Sequence, residues 1–146
     1  MNAVGQSVKE ITFCMIKPRG IKYRQQIKEM IEKRGLVIEK IRFIEKLSLG
    51  QVEELYAEHK EKEWFHTTTD YFVNKSVIVL IISGDNAVSK MREIIGATDP
   101  INAEENTIRG RFGLKSDNLA DRITDNIIHG CAKPEFVTRE QKIFFE

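Results

Sequence analysis

The chain has 146 residues, of which 41% are apolar and 31% charged, and its formal net charge at pH 7 is +1. That length fits one domain, 1–146, which can bury a core without disulfides or a structural metal. Cationic and anionic side chains are mixed throughout, which gives no electrostatic support for nucleic-acid binding, and no run approaches the roughly 20 apolar residues of a membrane span.

The cysteines and the N-terminus predict a cytoplasmic protein. Cys14 and Cys131 are the only two cysteines, and their spacing matches no metal motif. Cys14 lies within an apolar run and is expected to be a small core residue. The N-terminal residues contain no apolar signal core. We therefore expect no membrane association and no metal site built by the protein alone.

The first half of the chain alternates between strand and helix patterns. Residues 11–16 form an apolar run that predicts a mostly buried strand. Apolar residues at helical spacing over 21–33 predict a helix, and clean alternation over 36–43 predicts a strand with one wet face. Two further helices are predicted, over 48–59 and over the aromatic segment 62–73.

The middle of the chain contains the strongest strand signal, the apolar run 76–82, which is expected to lie in the centre of a sheet. A helix begins at 85 or 86 and is expected to end at Gly96. Residues 97–125 show little periodicity apart from a helical turn at 117–123. A loop of this length in a compact domain is usually functional or disordered.

Three short signals complete the chain. Ile127-Ile128 is an apolar stretch in front of His129, Lys133-Pro134-Glu135 opens a helix, and 143–145 is predicted to be a last strand. The order of these elements predicts an α+β fold. Its antiparallel sheet would have helices on one face, in the repeating sense of a split βαβ unit.

His129 is the first candidate for chemistry, because a neutral imidazole is a nucleophile that can accept a phosphoryl group and pass it on. A structural histidine is the ordinary alternative. Here Gly130 follows directly, which would let the backbone approach a ligand, and Asn126 lies three residues earlier. The other two histidines, His59 and His66, lie in polar helical segments and are expected to be surface residues.

Cations and a hydroxyl could bind phosphate around this histidine. Lys17 ends a buried strand, and an arginine matches phosphate oxygens with paired donors. Phosphoryl transfer depends mainly on positioning and on neutralising charge. The candidates are Lys17, Arg92, Thr98 and Arg109. Taken singly, each is also an ordinary surface, helix or turn residue.

Three more residues complete the candidate set. Trp64, the only tryptophan, and Tyr56 could face a nucleotide, although core packing explains an aromatic residue equally well. Glu140 could orient the imidazole, as acids do in triads, or be a solvated helix residue. The chain contains no Walker A loop, so a nucleotide site cannot depend on that phosphate cradle.

Together these residues resemble the nucleoside diphosphate kinase family over almost the whole chain. Five pieces match in order and at compatible spacing: Met15-Ile16-Lys17-Pro18, Tyr56 with Trp64-Phe65, the stretch 92–100, Thr107-Ile108-Arg109-Gly110, and Asn126-Ile127-Ile128-His129-Gly130. The resemblance implies a ferredoxin-like βαββαβ domain. It also implies a ping-pong exchange, in which a nucleoside triphosphate phosphorylates His129 and a nucleoside diphosphate then accepts the phosphate.

The resemblance also implies roles for the other candidates. The residues that would contact phosphates or sugar are Lys17, Tyr56, Arg92, Thr98, Arg109 and Asn126, and Lys17 would also act in catalysis. Trp64 stands where the family usually stacks a phenylalanine on the base, and Glu140 matches the acid that supports the histidine. Mg²⁺ would be held mainly by the nucleotide phosphates. The protein would be a homo-oligomer, a tetramer or a hexamer.

The chain departs from the family pattern at four residues and in one stretch, and the weaker thiol donor of Cys131 predicts slower phosphoryl transfer. Arg19 replaces an aspartate and reverses a charge near Lys17, and Cys131 replaces a serine that would bond the supporting acid. Ala132 and Arg111 each replace an aspartate, and the stretch between Gly113 and Asn126 is longer than usual. Two other hypotheses therefore remain: a catalytically weakened regulatory or scaffold domain that binds nucleotide, and a nucleic-acid-binding ferredoxin-like domain, against which the neutral charge argues.

Overall fold

A four-stranded antiparallel sheet forms the centre of the computed structural model, which describes residues 8–145. The spatial order of its strands is β2-β3-β1-β4, the order of a ferredoxin-like α+β fold. The strands are β1 Lys9–Ile16, β2 Val37–Ile44, β3 Val77–Asp85 and β4 Ile128–Gly130. The expectation that the N-terminus has no signal core concerns residues 1–7, outside the described range.

The helices agree with most of the sequence predictions and add one that the sequence did not indicate. They are α1 Arg24–Lys33, α2 Leu49–Leu55, α3 Phe65–Phe72, α4 Ala87–Ile95, α5 Ile108–Phe112, α6 Leu119–Thr124 and α7 Val137–Phe145. Short 3₁₀ segments lie at Pro18–Tyr23, Ala57–His59, Pro100–Asn102 and Pro134–Phe136. None of the helices in residues 8–145 combines the length and the apolar composition needed to cross a bilayer.

The central strands β1 and β3 are buried on both faces, because helices cover both sides of the sheet. On one side Cys14 and Ile16 of β1 pack with residues of α1 and α4. On the other side Phe13 and Met15 pack with residues of α2, α3 and α7. The expectation of helices on one face only is therefore wrong, while the prediction that Cys14 is a core residue is confirmed.

The C-terminal segment corrects a second prediction. Residues 143–145 belong to α7 and not to a strand, and the fourth strand is instead β4, which pairs with β1 and contains His129. The reason is visible in the burial of α7: Val137, Glu140 and Phe144 are buried, at the spacing of three and four residues that defines one face of a helix. Three consecutive apolar residues could not distinguish the two structures.

Strand β2 is an edge strand that is more exposed than its alternating pattern predicted. Ile41 and Phe43 are 59% and 57% exposed, respectively, although they pair with buried residues of β3. Both lie on the sheet face covered by α1 and α4, whereas Ile44 is buried on the opposite face. The edge of the sheet at β2 therefore presents apolar side chains to solvent.

Candidate active site

His129 lies on β4, directly opposite Met15 of β1, and its imidazole meets a buried carboxylate. Nε2 lies 3.1 Å from Oε1 of Glu140, whose residue is fully buried on α7. An ionised carboxylate only accepts hydrogen bonds, so Nε2 carries the proton and donates it. This fixes the tautomer and leaves the lone pair of Nδ1 for a ligand. The prediction placed these two residues together, and the structure does so.

The two carboxylate oxygens of Glu140 have different environments. Oε1 accepts from His129, but Oε2 accepts no hydrogen bond of standard geometry from the described residues. The guanidinium of Arg139 lies 3.6 Å from Oε2, and the thiol of Cys131 donates to the carbonyl of Lys133 at 3.2 Å. Burial and then the charge of Glu140 raise the pKa of Cys131 to about 12, so this thiol stays protonated at neutral pH.

Lys17, Asn126 and Thr98 form a continuous chain of hydrogen bonds. Nζ of Lys17 donates to Oδ1 of Asn126 at 2.8 Å and to the carbonyl of Thr124 at 3.3 Å. Nδ2 of Asn126 donates to the carbonyl of Thr98 at 2.7 Å. The amide side chain of Asn126 therefore joins the segment before β4 to the end of β1 and to the loop after α4.

The ammonium of Lys17 is buried, with 6% of the residue exposed, and lies 5.5 Å from the centre of the Phe72 ring. Burial and then the positive charge of Arg109 lower the pKa of Lys17 to about 7, and Asp125 partly opposes this. A cation held in this way gains stability when an anion approaches, because the anion replaces the lost hydration. The site is thus prepared for a negatively charged ligand.

Arg109 contributes a second buried cation next to the histidine strand. Its Nη2 donates to the carbonyl of Ile128 at 2.8 Å, and its Nη1 donates to the carbonyl of Gly96 at 3.3 Å. Nε is buried and has no partner among the described residues, while Nη1 and Nη2 each keep a second N–H. Burial lowers the pKa of Arg109 to about 10, which leaves it charged at neutral pH. Arg92 is exposed on α4, and its charge acts on Arg109.

The predicted aromatic residues occupy two different environments. Tyr56 is 8% exposed, and its ring meets the imidazole of His129 edge-on, with 5.8 Å between the ring centres. Its hydroxyl is buried without a hydrogen-bond partner in the described part of the chain, and burial raises its pKa. Trp64 is 43% exposed and lies beside His59, with 5.0 Å between the rings. Tyr56 thus borders the histidine, whereas Trp64 presents an open aromatic face.

The backbone just before His129 adopts a strained conformation that other residues hold in place. Ile127 has φ of 81°, which is rare for a β-branched residue. Its carbonyl accepts the backbone N–H of Lys17 at 2.8 Å. A Cβ at Gly20 would lie 2.5 Å from the same carbonyl oxygen, so only glycine fits there. Strain of this kind is often found at functional sites.

Gly130 has a packing role that the sequence analysis did not predict. A Cβ at this position would lie 2.5 Å from Cδ1 of Ile95 on α4. The glycine therefore lets β4 pack closely on α4, which fixes the position of His129. Ile95 of α4 occupies the space beside Gly130. The expectation that this glycine lets the backbone approach a ligand remains a prediction.

The comparisons with known proteins agree over most of the chain. The family model described as nucleoside diphosphate kinase matches residues 10–146. The chain belongs to this family. A nucleoside diphosphate kinase of Saccharolobus solfataricus is 39% identical over 142 residues, covering 95% of this chain and 96% of that protein.

Two solved nucleoside diphosphate kinases have the same fold. The enzyme from Encephalitozoon cuniculi superposes with a TM-score of 0.83 at 30% identity, covering 93% of this chain and 88% of that one. The enzyme from Halobacterium salinarum, solved in complex with CDP, gives a TM-score of 0.82 at 29% identity and covers 95% and 89%.

Arg19 shows how this family member accommodates a departure from the family pattern. Its backbone N–H donates to Oδ2 of Asp125 at 3.1 Å, and its Nη1 donates to the carbonyl of Asp125 at 2.9 Å. The hydroxyl of Tyr71 donates to the same carboxylate at 2.8 Å. The Arg19 side chain thus bonds the backbone of Asp125, while the buried Asp125 carboxylate accepts from the Arg19 backbone and from Tyr71. Asp125 was not predicted from the sequence, although it lies directly before Asn126.

Proposed function

We propose that this protein is a nucleoside diphosphate kinase that works by a ping-pong mechanism through phosphohistidine at His129. The observation that carries the proposal is the contact between Nε2 of His129 and Glu140, which leaves Nδ1 as the nucleophile. Family membership supports the same activity. Two buried cations, Lys17 and Arg109, border the segment that ends in His129.

In the first half-reaction, Nδ1 of His129 attacks the γ-phosphorus of a nucleoside triphosphate. A P–N bond forms, the bond between the γ-phosphorus and the bridging oxygen breaks, and the nucleoside diphosphate leaves with that electron pair. The proton on Nε2 stays on the imidazole, where Glu140 stabilises the positive charge that develops on the ring. In the second half-reaction, a terminal oxygen of another nucleoside diphosphate attacks the phosphohistidine and regenerates the imidazole.

The cations would bind the phosphates and stabilise their charge in the transition state. Lys17 uses two of its three donors within the protein, and each terminal nitrogen of Arg109 uses one N–H and keeps a second, so both side chains can still donate to an anion. Arg92 is exposed and can approach the outer phosphates. Thr98, Asn126 and Tyr56 would complete the contacts to phosphate and sugar.

Trp64 would stack on the nucleotide base, because its ring is exposed. Stacking on an aromatic ring suits any base, so this contact would support broad nucleotide acceptance. The described residues contain no group of three histidine, cysteine or acidic side chains able to hold a metal ion. A Mg²⁺ ion carried by the nucleotide phosphates would neutralise part of their charge. Lys17 and Arg109 would then complete the neutralisation.

A homo-oligomer is also part of the proposal. The edge strand β2 exposes Ile41 and Phe43, and such an edge is a place where a second copy can pack. Sedimentation of the parent and of Ile41→Glu would test this. The proposal requires an assembly of parent chains that the charged variant weakens, and a monomeric parent would contradict it.

The decisive experiment is transfer of label from ATP labelled at the γ-phosphate. The parent should form an acid-labile phosphoenzyme that GDP discharges, and His129→Ala should form none. His66→Ala is the matched control, because His66 is an exposed histidine on α3 and should leave labelling unchanged. Binding of ATP without label in the parent would reject the kinase in favour of the regulatory domain. Cys131, Ala132 and Arg19 would then be the residues to restore.

A further inference from the structure

The stretch 114–125, which is longer than usual for the family, folds onto the proposed nucleotide site. It contains α6, which begins after Asn118, whose side chain accepts the N–H of Asp121 at 3.0 Å. The carbonyl of Thr124 at its end accepts Nζ of Lys17. The stretch thus has a defined structure, with one end joined to the proposed phosphate-binding residues.

Arg122 attaches this stretch to the loop after α4 through a two-point contact. Nε donates to Oδ1 of Asp99 and Nη2 donates to Oδ2, each at 2.9 Å. Nη1 donates to the carbonyl of Ser116, also at 2.9 Å. The side chains of Arg122 and Asp99 are only 13% and 15% exposed. Paired hydrogen bonds between a guanidinium and a carboxylate restrict direction as well as distance, so this contact orients Asp99.

The oriented residue lies directly next to a proposed phosphate ligand. Asp99 follows Thr98, and its Oδ1 also accepts the N–H of Ile101, so that Asp99 caps the 3₁₀ turn Pro100–Asn102. The carbonyl of Thr98 accepts Nδ2 of Asn126, whose Oδ1 accepts Nζ of Lys17. A shift of Asp99 would therefore change the position of three residues proposed to hold the nucleotide.

We propose that Arg122 is a positioning residue for nucleotide binding, which acts through Asp99 on Thr98, Asn126 and Lys17. The inference rests on the proposed function of that site. All three nitrogens of the Arg122 guanidinium already donate to protein acceptors, which suits a residue that orients others. The competing explanation is a latch that only stabilises the folded stretch 114–125.

The experiment measures the Kd for ADP with Mg²⁺ by calorimetry in Arg122→Gln and in Arg24→Gln. Arg24 is the matched control, because it is an exposed arginine on α1 that makes only a local contact with the carbonyl of Ile21. Arg122→Gln should weaken binding about tenfold at unchanged stoichiometry, as loss of an orienting neighbour does. Arg122→Lys should recover only part of the affinity, because lysine lacks the planar fork.

A double-mutant cycle separates the two explanations. Asp99→Asn keeps a side chain that can cap the 3₁₀ turn but loses the charge, so it should weaken ADP binding as Arg122→Gln does. The double variant should be no weaker than either single variant. An unchanged Kd in Arg122→Gln, with either a lower Tm or a reduced binding stoichiometry, would show a purely structural latch and overturn the inference.

The two proposals fail in different ways. Absence of phosphohistidine in the parent rejects the kinase mechanism, while weaker ADP binding in Arg122→Gln still supports the positioning role. Labelling of the parent together with parent-like affinity in Arg122→Gln rejects only the positioning role. A parent that binds no ADP contradicts both.

Discussion

Replacing Glu140 with glutamine tests how much the buried carboxylate contributes to phosphoryl transfer. The change keeps the size of the side chain in a position with no exposure, so the packing of α7 should be retained. It removes the charge that accepts Nε2–H of His129 at 3.1 Å. It also permits the amide N–H₂ to face Nε2, which would favour the tautomer with its proton on Nδ1, the nucleophilic nitrogen.

The expected loss follows from the strength of this hydrogen bond. A bond to a charged group contributes about 1.5–3 kcal/mol, so the rate should fall about 10- to 150-fold. The transition state is affected most, because charge develops on the imidazole as the P–N bond forms. Binding of the nucleotide, which the cations dominate, should change little.

The assay is rapid-quench measurement of phosphoenzyme formation from ATP labelled at the γ-phosphate, with the Kd for ADP measured on the same preparations. Glu135→Gln is the control, because Glu135 is an exposed acid in the 3₁₀ segment before α7. A rate in Glu140→Gln within twofold of the parent, at full phosphorylation stoichiometry, would refute the role of Glu140 in orienting and stabilising the imidazole.

Four further predictions follow from the same geometry. Burial lowers the pKa of Lys17 to about 7, and a bound phosphate favours the charged form of this side chain. Binding of ADP should therefore be accompanied by uptake of close to one proton at pH 8 and almost none at pH 6. Calorimetry in buffers of different ionisation enthalpy measures this, and uptake that persists in Lys17→Met would assign it to another group. Cys131→Ser places a stronger donor than the thiol next to Glu140 and should speed phosphoenzyme formation about 2- to 10-fold, because the gain is only the difference between a hydroxyl and a thiol donor; a slower variant would contradict this. Gly20→Ala should lower the free energy of unfolding by about 1–3 kcal/mol in urea titrations, because its Cβ would meet a backbone carbonyl at 2.5 Å, and parent-like stability would show that the backbone yields. Trp64 is the only tryptophan, so ADP should quench its fluorescence, and Trp64→Ala should raise the Kd while Trp64→Phe should not; equal affinity in all three would remove Trp64 from the site.

The sequence contained enough local information to predict most elements of the sheet and its helices. β3 was predicted from a run of apolar residues, and α4 from helical spacing ended by Gly96, whose φ of 93° only glycine adopts easily. It missed α5, which spans only five residues and contains Gly110. Such local preferences depend on neighbouring residues alone, so they can be read without the fold.

The residue types of the candidate site were also predictable, because each has the chemistry that phosphate requires and the five motifs occur in family order. Their arrangement was not. Glu140 meets His129 only because α7 packs on the sheet face beside β4, and Lys17 meets Asn126 across more than a hundred residues of chain. Arg122 gave no signal at all, since its importance arises from its contact with Asp99.

The chain by itself therefore determined which groups are present and, for most segments, whether they become helix or strand. The tertiary structure decided that 143–145 is the end of a helix, that β4 is the fourth strand, and that both faces of the sheet are covered. It also decided which nitrogen of His129 contacts Glu140. The physical reason is that these outcomes depend on contacts between side chains distant in sequence. Strand register and helix packing bring these side chains together, and neither produces a periodic pattern in the sequence.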